Sequence, residues 1–198
     1  HQHGQSDYIG EPVSQLEHMS QAAALAMKEG YDDEVVLAAF FHDIGHIYLA
    51  GQPHENMNGF GVMHHEKIGA AYLRQVGFSE RLVRLVENHV QAKRYLTYKF
   101  PAYFDALSEA SKQTLHYQGG KMTAEEAITF EQDPLFTLSL RMREWDEMAK
   151  EQHVPVIDLQ IMYDKASRLL NQPLSRSTDH PYLGSLPLRN DQTSSSTD

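Results

Sequence analysis

The sequence predicts an all-α protein, a bundle of packed helices. Three observations carry that prediction. Apolar residues recur at intervals of three and four through most of the chain, the period of a helix with one buried face. No stretch of useful length alternates apolar and polar residues as a half-buried strand does. Ser, Thr or Asp stands ahead of several apolar runs and Gly behind them, as helix ends require.

The elements follow in order. The first helix spans Glu11 to Glu29, carries Val13, Leu16, Ala23, Leu25 and Met27, and stops at Gly30. Asp32, Asp33 and Glu34 then place negative charge at the positive end of a second helix. That helix runs through VVLAAFF, apolar on every side and therefore buried. A loop with Gly51, Pro53, Asn58, Gly59 and Gly61 leads to a third helix over 64–76, and Ser79 caps a fourth containing Leu82, Val83, Leu85 and Val86. Pro101 to Leu107 and Ser108 to Tyr117 read as helices, broken by Gly119 and Gly120. Thr123 with Glu126 forms a capping box, and Asp133 before Pro134 opens a helix that reaches about Lys150. Asp158 to Leu170 is a last amphipathic helix. Beyond it the chain turns rich in Pro, Ser and Thr, so one domain over 1–170 with a mobile tail over 171–198 is expected.

Composition narrows the chemistry. Twelve histidines and no cysteine stand among 198 residues. Disulfides, iron–sulfur clusters, zinc–thiolate sites and cysteine nucleophiles are excluded, so any metal is held by nitrogen and oxygen. Acidic residues outnumber basic ones, 27 to 17, for a net charge of −10. With no basic run, nucleic acid is not an expected partner. No segment approaches the ~18 apolar residues of a membrane helix, and no cationic-then-apolar leader opens the sequence. A cytoplasmic location is expected.

The histidines form a pattern. FFHDIGH, residues 40–46, follows the buried run, which puts His42 and Asp43 deep in the protein. A buried carboxylate is unfavourable unless paired or metal-bound. Adjacent helical residues point about 100° apart, so these two meet one metal only near a helix end or kink, and Gly45 offers that freedom. His46, four residues after His42, shares its face; it reads equally as a ligand, a support for one, or a substrate contact. His18, His65, His89 and Asp146 each belong to a different helix, and inward-facing side chains from several helices can converge on one metal site. Ile68, Tyr72 and Val76 favour His65 as the inward residue, with its neighbour His64 undecided. Asp146 beside Trp145 reads equally as a surface acid. His1, His3, His54, His116, His153 and His180 read as ordinary histidines. Lys93, four residues after His89, shares that helix face and can meet an anion beside a metal.

The order His18, His42-Asp43, Asp146 resembles the H…HD…D signature of HD-domain proteins, helical bundles built around one or two metals. His65 and His89 between them resemble the di-metal subclass. Closer still, DYIGE (7–11), QLEH (15–18), HHEKIGAAYLRQVGFSER (64–81), HVQAKRYL (89–96), SEASKQTLHYQGG (108–120) and REWDE (143–147) are similar to the HD-domain mixed-valent di-iron oxygenases that break carbon–phosphorus bonds. The likeness runs from Tyr8 to Leu170. HD alone is a weak motif; HD with AKRYL, YQGG and WDE in this order is a strong one.

The resemblance implies a set of roles. Asp43 bridges two irons, one ferrous and one ferric. His18, His42 and Asp146 complete one metal site, His65 and His89 the other. Oxygen is the cosubstrate. All four electrons come from the substrate, so 2-oxoglutarate is not needed. The substrate is a small hydroxyphosphonate, 2-amino-1-hydroxyethylphosphonate, cleaved to glycine and phosphate, and an upstream phosphonate hydroxylase is expected to supply it. Lys93 and His46 meet the phosphonate, with Ser111, Gln118 and Arg143 nearby. Tyr8 occupies an open iron position until substrate arrives, and Glu11 meets the ammonium. Met57, Asn58 and Phe60 are placed to form a lid. Two alternatives stand beside this reading. The trimethylammonio analogue would undergo the same chemistry, although a quaternary ammonium favours aromatic faces. A metal-dependent HD phosphohydrolase would instead use a metal-bound hydroxide.

Overall fold

A computed structural model describes residues 13–50, 53 and 55–171. Tyr8 and Glu11 lie outside the described residues, as does the stretch read as a tail except Asn171, which closes the last helix instead. Ten helices and no strand occur among the described residues: α1 (Gln15–Lys28), α2 (Asp33–Phe41), α3 (Ile44–Tyr48), α4 (His65–Val76), α5 (Glu80–Lys99), α6 (Pro101–Ala106), α7 (Glu109–Tyr117), α8 (Ala124–Glu131), α9 (Phe136–Met148) and α10 (Leu159–Asn171). No described helix is long and apolar enough to cross a membrane.

Side-chain caps set half of the helix starts. Ser14 opens α1 through a capping box with Glu17, Asp32 opens α2, Ser79 opens α5, Ser108 opens α7, and Thr123 opens α8 through the expected box with Glu126. The start of α9 departs from expectation. It begins at Phe136, not at Pro134. Asp133 Oδ1 accepts from the Leu135 amide, closing a local turn, while Oδ2 is drawn off to Arg84 and Asn88 of α5. The residue that would cap the helix is committed to anchoring it sideways.

The core lies between α1, α2, α5 and α9. Val35 to Ala39 of α2 are almost fully buried, as sequence apolar on every side requires, and Met19, Leu82, Leu85, Met142 and Trp145 pack around them. A smaller cluster joins α5 to α8 through Ala92, Tyr95, Ala127 and Phe130. Gly77 at φ 105° ends α4 in the left-handed turn that glycine adopts without strain. The long central α5 therefore carries core residues on one stripe and His89 and Lys93 on another.

Candidate metal centre

The site begins with a break in the chain. Helix α2 ends at Phe41 with His42 as its C-terminal cap, and Asp43 leaves helical geometry (φ −103°, ψ 12°) before α3 starts at Ile44. The break turns two adjacent side chains toward one point. Gly45 serves a different purpose from the one expected. A Cβ there would overlap the His65 carbonyl, and a Cβ on Gly69 would lie 2.9 Å from Ile44 Cγ2. The two glycines let α3 and α4 touch backbone to backbone, which delivers His65 to Asp43.

The six side chains converge, all of them buried. Asp43 divides them into two groups. Its Oδ2 lies 3.7 Å from His18 Nε2 and 3.5 Å from His42 Nε2. Asp146 Oδ1 joins that side, 3.2 Å from His18 Nε2 and 3.8 Å from His42 Nε2. Asp43 Oδ1 faces the other pair, 3.3 Å from His65 Nε2 and 3.6 Å from His89 Nε2.

Ring tautomers explain why this point suits a cation. His18 Nδ1 lies 2.8 Å from the Ala149 carbonyl, His42 Nδ1 2.8 Å from the Ala39 carbonyl, and His89 Nδ1 2.6 Å from the Val86 carbonyl. A carbonyl only accepts, so each Nδ1 carries the proton and each Nε2 is left as a lone pair. His18 and His42 present their Nε2 atoms to each other at 3.0 Å, and His65 and His89 theirs at 3.1 Å. Asp43 Oδ2 and Asp146 Oδ1, also acceptors, have no hydrogen-bond partner. Lone pairs and anionic oxygens meet with no donor among them, and a positive ion resolves that conflict. Four imidazoles and two carboxylates fit a first-row divalent metal pair. Without a metal, a proton relieves part of the strain: burial lowers His42, but the Asp43 charge, with Asp146 in support, outweighs it and raises the ring to about 9.

Neighbouring groups hold the carboxylates in their charged form. Burial would raise Asp146, yet the charge of the Arg143 guanidinium keeps it well below the usual carboxylate range. Arg143 Nη1 pairs with Asp146 Oδ2, so Oδ1 is the oxygen turned to the histidines. The same guanidinium donates from Nε to the Tyr103 hydroxyl at 2.9 Å and to Glu147 Oε1 at 3.0 Å.

His46 takes a distinct position. Its ring stacks on His65 with centroids 4.1 Å apart, and the Val62 amide donates to its Nδ1 at 3.0 Å. Proximity to Asp43 and His65 alone would suit a further ligand. An amide only donates, however, so the neutral ring carries its proton on Nε2 and presents an N–H. Burial first, and then the neighbouring His65, push its pKa down to about 3, which keeps the ring neutral.

Beside the cluster lies a cavity of about 50 Å³. Lys93, Ser111, Thr114 and Gln118 line it together with the metal-facing groups, and Met57 and Phe60 of the loop border it. Lys93 Nζ donates to Thr114 Oγ1 at 2.7 Å and to Gln118 Oε1 at 3.0 Å. Burial, and next the charge of Arg143, hold its ammonium well below the usual lysine range. An anion in the cavity would offset both effects.

The structure thus brings together His18, His42, Asp43, His46, His65, His89, Lys93, Ser111, Gln118, Arg143 and Asp146. His64 is exposed, at φ 58° just ahead of α4, and His116 and His153 are exposed as well. Asn58, grouped in the expected lid, is exposed at φ 53°. Residues the sequence reading passed over are Gln15, Thr114 and Glu66. Thr114 had a signal: it shares one helical face with Ser111 and Gln118.

Comparison with known proteins gives the family. The HD domain family matches residues 15–137. A [1-hydroxy-2-(trimethylamino)ethyl]phosphonate dioxygenase (glycine-betaine-forming) of Leisingera caerulea is 40% identical over 147 residues, 74% of each chain. A hydroxymethylphosphonate dioxygenase of Gimesia maris is 41% identical over 160 residues, 80% of this chain and 78% of that one. The chain belongs to the HD-domain phosphonate dioxygenases. An uncharacterized protein of Acanthamoeba polyphaga mimivirus is 48% identical over 149 residues, 75% of this chain and 68% of that one. Membership in the HD-domain phosphonate dioxygenases makes the chain an enzyme of the oxygenase class, as the resemblance implied, rather than a phosphohydrolase.

Proposed function

We propose that this dioxygenase cleaves the carbon–phosphorus bond of 2-amino-1-hydroxyethylphosphonate with a mixed-valent Fe(II)/Fe(III) pair, giving glycine and inorganic phosphate. The observation that carries the metal pair is the division of Asp43, with Oδ2 toward His18 and His42 and Oδ1 toward His65 and His89. In this reading Asp43 would be shared between the two ions, His18, His42 and Asp146 would hold one, and His65 and His89 would hold the other. When bound, the irons supply oxygen activation and a Lewis acid for the substrate's hydroxyl and phosphonate oxygens.

The protein's own groups bind and orient. Lys93 meets the phosphonate from the cavity wall, held at Thr114 and Gln118. The Nε2–H of His46 donates to a phosphonate oxygen, and Ser111 and Arg143 complete the surround. The reaction balances without a further reductant: the carbon bearing the hydroxyl becomes a carboxylate, the phosphonate becomes phosphate, and dioxygen supplies both added oxygens. Glu11 meeting the ammonium and Tyr8 holding an open iron position rest on the resemblance. The substrate's hydroxyl implies an enzyme that hydroxylates the parent phosphonate.

A second reading keeps the chemistry and changes the amine. The Leisingera caerulea relative favours the trimethylammonio substrate, with glycine betaine as product. Phosphate release is the test, measured with both hydroxyphosphonates side by side, with and without oxygen. The primary amine should be turned over faster, and only in air. Faster release from the quaternary substrate would select the second reading. Release without oxygen, by protein loaded with zinc alone, would overturn the oxygenase mechanism.

A further inference from the structure

Four imidazoles face the metal positions, and three of them are anchored alike. His18, His42 and His89 each donate from Nδ1 to a backbone carbonyl. His65 does not: its Nδ1 is buried and has no hydrogen-bond partner. Glu66 is also buried, 3% exposed, and its Oε2 is likewise unpartnered. These two orphaned atoms lie 3.8 Å apart. We infer that Glu66 is the positioning residue for His65, accepting its Nδ1 proton's hydrogen bond when a metal sits on Nε2.

The chemistry of both groups supports this. A metal on Nε2 fixes the proton on Nδ1 and makes it a stronger donor, and a carboxylate in that place raises the basicity of the ring. Glu66 stands in the first turn of α4, where the helix dipole tolerates a negative charge. A first-turn acid with a purely local duty would hydrogen-bond the free backbone N–H groups at the helix start; Glu66 Oε2 bonds none of them. The arrangement makes the two metal positions unequal. The one held by His65 and His89 has a carboxylate behind one imidazole, whereas the one held by His18, His42 and Asp146 has only carbonyls behind its rings.

This inference rests on the metal pair proposed above, and its test separates the two. The metal-free full chain, as wild type, Glu66→Gln and Glu66→Asp, is titrated with Fe(II) under anaerobic conditions. Metal content and thermal midpoint are followed at each addition. The wild type should take up two equivalents. Glu66→Gln should bind the first equivalent normally and the second about 10–100-fold more weakly. Its metal-free midpoint should hold, because Gln keeps the shape of Glu and Glu66 Oε2 makes no hydrogen bond there to lose. Glu66→Asp should recover part of the second affinity. Equal binding of both equivalents by Glu66→Gln would overturn the role of Glu66 and leave the metal pair standing. So would a lowered metal-free midpoint with both equivalents weakened together. A wild type that binds fewer than two equivalents would overturn the metal pair, and this inference with it.

Discussion

The two walls of the cavity are built differently. The metal-facing wall comes from core helices: His18 and His42 are fully buried, and Trp145 beside Asp146 has no exposed surface. The wall facing Lys93 comes from α7, which buries only Leu115, next to α6, which buries nothing. One wall is fixed by packing on all sides, the other by a few hydrogen bonds. The contrast teaches where change is tolerated. Altering the first wall disturbs the core; altering the second re-cuts the space offered to substrate.

Breaking the first wall should have the largest effect. Asp43→Ala removes the group common to both metal positions, so metal content should fall to near zero and activity to background. Elemental analysis beside an activity assay checks both. Where the two walls meet, Lys93→Met should leave metal content unchanged and raise KM roughly 10–100-fold, the value of a hydrogen bond to a charged group. Metal loss in that variant would show that the walls are not independent. Thr114→Val sharpens the comparison, because it removes one acceptor from Lys93 and nothing from the metals. A single hydrogen bond of about 1 kcal/mol predicts a several-fold rise in KM at full metal content.

The smallest effect should lie away from both walls. Lys165 and Arg168 of α10 clasp Asp33 at the start of α2. The Lys165 hydrogen bond, with Arg168, holds that carboxyl below its ordinary value. A depressed carboxylate adds stability that is present above its unfolded pKa and is lost as pH falls through the folded one. Asp33→Asn should therefore cost about 0.5–1 kcal/mol at neutral pH. Chemical denaturation should show the two proteins converging as the medium is acidified below about pH 4.

Much of the buried histidine–aspartate cluster was legible in the sequence because its residues sit in strongly patterned helices. His42 and Asp43 follow an apolar run that could only be buried. The inward turn of His65 was read correctly through the wrong neighbours. Val76 is exposed and Ile68 and Tyr72 are only partly buried, while the face that packs holds Glu66, Gly69, Ala70 and Leu73. Small residues mark that face because α3 lies so close, and a search for large apolar side chains overlooks them. Glu66 gave no signal of its own, since an acid in a first turn is what many helices carry. The early start expected for α9 failed because Asp133 has a long-range partner in Arg84 that no local pattern reveals.

Gly45 has one more consequence. The contact it permits holds the His65 end of the cluster, where Nε2 stands 3.3 Å from Asp43 Oδ1, while the Oδ2 end hangs on other helices. Alanine at this position would be a wedge driven between α3 and α4. It would pry His65 away and leave His18, His42 and Asp146 in place. On the metal pair proposed above, Gly45→Ala should then yield a folded protein that takes up one equivalent of metal instead of two, the result of a single methyl group set against the His65 backbone.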